Sequence, residues 1–184
     1  MRKLKLTALA LATAAAIILP GAPGDATVFH ARSEMFDVAF PQAESVVAKD
    51  YFLTKEQRAA IEHLAIRGLD SDLVTVYTAY RGNEVLGYAI LDTHRVRTLP
   101  ESFLVVLDTK GTVASTHILA FHEPLEYMPS DRWLALLENR SLTDDLRLGR
   151  DIAGVTGSTL SSHAVLGGVR RALAIYEVLL SETN

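Results

Sequence analysis

The alternation of apolar and polar positions is clearest between Leu73 and Phe121. Leu73 to Tyr80 is rich in Val, Thr and Tyr, Gly82-Asn83 signals a turn, and Glu84 to Leu91 predicts the second arm of a hairpin. Phe103 to Leu107 is a short apolar run, Asp108-Thr109-Lys110-Gly111 turns, and Thr112 to Phe121 extends again. Strands joined in this way predict an antiparallel meander of about four strands. His94 to Pro100 reads as a loop between the two hairpins and carries Arg95 and Arg97. Helical spacing appears on either side of this region. Thr54-Lys55-Glu56-Gln57 is a capping box, followed by Ala60, Ile61, Leu64 and Ala65 on one face, with Gly68 as the stop. Ser130 can cap a helix containing Trp133, Leu134, Leu136 and Leu137. Leu160 to Leu180 is the longest pattern, with Ala164, Val165, Val169, Ala172, Leu173 and Tyr176 on a broad apolar face. Residues 27–36 read as a linker, and 37–50 have mixed periodicity. The order of elements predicts an α+β fold: an antiparallel β-meander sheet with helices packed on one face, one of them a long C-terminal helix.

The N-terminus belongs outside that fold. Arg2, Lys3 and Lys5 precede a charge-free apolar run from Leu6 to Leu19, Pro20 breaks it, and Gly24-Asp25-Ala26 supplies small residues for cleavage. This is the layout of a secretory signal peptide, and the run is short for a membrane span. The expectation is therefore a signal segment at 1–26 (or a retained N-terminal anchor) and one domain at 27–184, in the periplasm or on the outer face of the cytoplasmic membrane. Cleavage would remove three positive charges and one negative, taking the net charge from -4 to -6. An acidic domain without a basic stripe argues against nucleic acid as a partner. With 49% hydrophobic and 22% charged residues, the chain has enough apolar material for a core. It has no cysteine, which excludes disulfides, thiolate zinc sites and iron–sulfur clusters. Any redox role must use a group that cysteine does not hold.

The chemically informative stretch is Gly154-Val155-Thr156-Gly157-Ser158-Thr159-Leu160-Ser161-Ser162, at the predicted start of the long helix. Two glycines permit close backbone approach, and hydroxyls crowd the segment. At a helix N-terminus the free amides and the positive end of the dipole favour a phosphate. The same residues also suit a plain N-cap loop.

Val155-Thr156-Gly157-Ser158-Thr159-Leu160-Ser161-Ser162 resembles the motif of the FMN-binding domain family. That family includes the C subunit of the sodium-pumping NADH:quinone reductase, the G subunit of the related ferredoxin:NAD reductase, and the periplasmic part of a nitrous-oxide-reduction regulator. Its pattern is roughly Asp-x-x-Ser/Thr-Gly-Ala-Thr, then an apolar residue and Ser/Thr. A magnesium-dependent flavin transferase esterifies the final Thr with the phosphate of FMN. The resemblance, over about residues 70–180, implies FMN on Thr159, with Thr156, Gly157, Ser158, Leu160 and Ser161 around the phosphate. Ser158 stands where the family has Ala, and Ala153 where it has Asp, the nearest acid being Asp151. Covalent FMN and non-covalent FMN in the same cradle both remain open. His122-Glu123-Pro124 resembles a family segment that lies near the flavin. Glu123 could accept hydrogen bonds from the flavin, and Tyr127 and Trp133 could either wall its ring or belong to the core. The implied role is electron transfer with a membrane or periplasmic redox partner, after maturation by a flavin transferase. A sensing or interaction module of the same fold, with weak or no FMN binding, is the alternative. A flavin reductase would need a donor site that the residues do not supply.

Other constellations are weaker. Ser161, Ser162 and His163 lack a nucleophile elbow, and neighbours on a helix do not face each other. His117 and His122 point to opposite faces of an extended segment, which disfavours a shared metal with Glu123. Arg95 and Arg97 share a face if extended and could meet an anion, although such arginines are usually solvated.

Overall fold

A computed structural model of the chain describes residues 27–28, 34–96, 99–154 and 157–181. Six strands form one antiparallel sheet: β1 (Thr27–Val28), β2 (Ser45–Phe52), β3 (Leu73–Arg81), β4 (Glu84–Val96), β5 (Leu99–Leu107) and β6 (Val113–Phe121). Their order across the sheet is β1-β6-β5-β4-β3-β2. Among the described residues the α-helices are α1 (Glu34–Ala39), α2 (Lys55–Ala65), α3 (Asp131–Leu134) and α4 (Thr159–Leu179). The fold is α+β, built on the expected meander.

Period-two alternation decides what each strand buries. Phe103, Val105 and Leu107 of β5 turn toward the side covered by α2 and α4, together with Val74, Val76, Tyr88, Ile90 and Ile118. Leu104 and Val106 turn to the opposite face with Tyr77, Ala79, Ala89 and Leu119. There α1 covers them with Met35, Phe40 joins just past its end, and Phe36 lies against Tyr77 at a ring-centroid distance of 4.8 Å. Helices therefore cover both faces, not one. The sheet is also wider than the expected four strands. β2 adds an edge whose residues are mostly exposed, so it lacks the alternation that marks a half-buried strand. The polar stretch read as a loop from His94 is strand as far as Val96, and β5 resumes at Leu99. It pairs through polar partners: Thr93 with Ser102, and His94 with Glu101.

The capping box of α2 forms in both directions. The Gln57 amide donates to Thr54 Oγ1 at 3.2 Å, and the Thr54 amide donates to Gln57 Oε1 at 3.0 Å. The helix stops earlier than Gly68 suggested, with Ile66 in the left-handed region at φ 56°.

Along the sheet α4 lies beside α2 and is seated by small residues. A Cβ at Gly168 would fall 2.2 Å from Phe103 Cζ and 3.0 Å from Asp92 Cγ. Farther along, the Tyr176 hydroxyl donates to the Thr109 carbonyl at 2.7 Å, and its ring covers Gly111 in the β5–β6 turn. Gly168→Ala gains about 1 kcal/mol of helix propensity but forces Phe103 or the helix to move. The expected net result is a loss of about 1–3 kcal/mol, read as a lower denaturant midpoint with an unchanged slope.

Candidate functional site

The hydroxyl-rich segment ends at the head of α4. Gly157 has φ 93° and open space where a Cβ would be, so the backbone there turns as only glycine does easily and stays approachable. The first turn of α4 has two sides. Thr159 and Leu160 are exposed. Ser158, Ser161 and Ser162 are buried, at 2%, 1% and 0% exposure. Among the described residues the Ser158 and Ser162 hydroxyls have no hydrogen-bond partner, and Ser158 makes no side-chain cap bond. Val155 and Thr156 lie outside the described residues, so the expectation for Thr156 has no geometry to meet.

Glu123 lies two residues past the end of β6, and its Oε1 is buried without a partner among the described residues. His122 Nδ1 donates to the Pro100 carbonyl at 2.8 Å, holding this segment against the start of β5. Trp133 is a core residue. Its Nε1 donates to the Ala153 carbonyl at 2.7 Å, tying α3 to the loop that leads into the hydroxyl-rich segment. Tyr127 is half-buried and packs on the same core. Asp151 is engaged locally, accepting from the Arg147 amide at 3.4 Å.

The remaining candidates do not converge. His163 is exposed while Ser161 and Ser162 are buried, so they occupy different sides of α4. His117 Nε2 meets Ser115 Oγ at 2.8 Å. Arg95 is exposed, and Arg97 lies outside the described residues.

A buried charge cluster lies under the middle of α4; of its members, only His94 falls in the stretch expected as a loop and only Arg171 in the predicted long helix. Arg171 donates from Nε and Nη2 to the two oxygens of Asp92, both at 2.8 Å. His94 Nδ1 meets Asp92 Oδ1 at 2.9 Å, and its Nε2 lies 3.6 Å from Glu101 Oε2. Burial pulls the His94 pKa down, but hydrogen bonds and charge from Asp92 and Glu101 outweigh it and raise the value to about 8. For Asp92, burial pushes upward, and His94 with Arg171 more than offsets it, so the carboxyl sits below its ordinary value. Burial raises Glu101, which His94 only partly offsets. The available signal was the alternation of Asp92 and His94 on one strand face. The pair stands just past the predicted strand Glu84 to Leu91, and a polar pair at that spacing on an extension of the strand asks for a buried partner.

No protein-family profile matches the chain, and no curated protein matches it. Among solved structures, the crystal structure of Shewanella oneidensis NqrC is similar at 13% identity and a TM-score of 0.49, over 78% of this chain and 81% of that one.

The cluster sets a pH dependence. His94 and Glu101 both hold protons more tightly in the folded state, so both make stability fall as pH rises. The His94 share is fully present below about pH 6.5 and is lost as pH rises through about 8. It amounts to roughly 2 kcal/mol. Thermal midpoints should therefore decline over that window, and His94→Gln should flatten the decline.

Proposed function

We propose that this chain is an exported electron-transfer domain carrying FMN through a phosphoester on Thr159. One observation carries the reading: the family-like motif stands at the head of a 21-residue helix, with the acceptor threonine exposed on its first turn. The surroundings fit the group. Gly157 keeps the backbone open, the Ser158 side chain makes no cap bond to α4, and the dipole of α4 favours a phosphate. Leu160 is 50% exposed beside the acceptor and supplies an apolar surface. Buried Glu123 Oε1 offers an acceptor for a ribityl hydroxyl or a ring N–H.

Bound FMN would supply one- and two-electron redox chemistry. The chain's own residues hold and orient it. Thr159 is an anchor whose hydroxyl oxygen becomes the ester oxygen during maturation, with loss of water. Gly157 gives the phosphate room, and Ser158 and Ser161 fix the inner side of the turn. Trp133 steadies the approach through Ala153. Maturation would require a flavin transferase, and a membrane or periplasmic redox partner would exchange the electrons. The candidate signal at 1–26 lies outside the described residues. Among the described residues, no helix is long and apolar enough to cross a membrane.

Intact mass after co-expression with a flavin transferase and export tests this. The expected gain is FMN minus water, absent in Thr159→Val. An unmodified but yellow protein would replace the ester with non-covalent binding in the same cradle. A colourless one would favour the sensing or interaction module.

A further inference from the structure

A second concave region lies away from the head of α4. Arg67, Gly68, Leu69 and Asp70, just after α2, face Thr93, His94 and Arg95 of β4 across an open cleft of about 770 Å³ that Arg171 also lines. That size lies within the ordinary range for small-ligand sites. Three arginines, a histidine and one acid, Asp70, line it, and since Asp92 and Glu101 lie behind Arg171 and His94, the excess positive charge rests on Arg67 and Arg95. This is a local concentration of positive charge in a chain whose net charge is -4.

Two of the arginines are held in place. Arg171 is fixed by its fork to Asp92, made through Nε and Nη2, so its third nitrogen takes no part in that pair. Arg67 lies against Gly167, where an added Cβ would come within 2.6 Å of its Nε, and its Nη2 donates to the His163 carbonyl at 3.4 Å. Arg95 is exposed on the β4 side of the cleft. Fixed guanidinium groups lose little freedom on meeting an oxyanion, and their planar forks match its oxygens.

We propose that this cleft binds a small dianionic oxyanion, a phosphate ester or a dicarboxylate, between Arg67 and Arg95 and over Arg171. The site is separate from the proposed FMN anchor. Thr159 precedes Arg171 by 12 residues on α4, about 18 Å along the helix axis. It does not depend on the flavin reading. His94 adds a pH dependence to the site. The charged groups around it are Asp92 on its own strand, Glu101 on β5, Arg171 on α4, and Arg67, Asp70 and Arg95 on the cleft walls. Loss of its proton leaves Asp92 and Glu101 less compensated and weakens the field that attracts an anion.

Titration of the exported protein with inorganic phosphate and, separately, with succinate, followed by calorimetry or amide NMR, tests the proposal. Saturable binding of either probe is expected, and the better of the two identifies the ligand chemistry. Arg67→Gln and Arg95→Gln remove exposed side chains and leave the buried cluster intact. Each should weaken binding about tenfold. Thr159→Val should bind as the parent does, and affinity should fall as pH rises through about 8. No saturable binding of either probe would overturn the proposal. So would undiminished affinity in both arginine variants, or loss of binding in Thr159→Val, which would move the anion to the head of α4.

Discussion

The seat of α4 on the sheet is the constraint on which the remaining geometry rests. Gly168 lets the helix come down onto Phe103, and three residues later Arg171 reaches Asp92 in a two-point pair. A buried ion pair of this kind adds little net stability after desolvation, but a misplaced helix would leave Asp92 buried and uncompensated. The contact therefore fixes position more than it adds energy. With Gly168 and Arg171 set, the helix can slide or rotate very little.

Both ends of α4 inherit that position. Toward its C-terminus, Tyr176 closes over Gly111 and anchors the β5–β6 turn. Toward its N-terminus, Ser158, Ser161 and Ser162 are pressed inward, which leaves Thr159 and Leu160 on the outside. The acceptor role proposed for Thr159 requires an accessible hydroxyl, and the inward serines leave that side of the turn exposed. Trp133 joins the same end through Ala153 and ties α3 to the loop before α4.

Along the flanks, neighbouring arginines face different surroundings. Arg170 donates to the Asp145 carbonyl at 2.8 Å and holds the loop before the hydroxyl-rich segment, while Arg171 turns to the sheet. Charge in this chain thus serves first to place backbone. The arginines left at the cleft are exposed: Arg67 lies along α4 at Gly167, and Arg95 is on β4.

The sequence by itself determined the elements whose cause is local. The capping box of α2, the Gly82-Asn83 and Asp108–Gly111 turns, and the apolar face of α4 are set by neighbours within a few residues, and all are found where the pattern put them. The hydroxyl-rich segment was legible for the same reason: its residues are contiguous. β2 was not legible, because an edge strand exposed on most positions carries no burial period. Only the tertiary structure could show that His94 is paired strand, since its partner Glu101 comes from another strand, and the Arg171 that shares Asp92 with it comes from a helix. The same holds for the outward Thr159 and inward Ser158. A run of hydroxyls has no inside or outside until Gly168 and Phe103 decide how the helix lies.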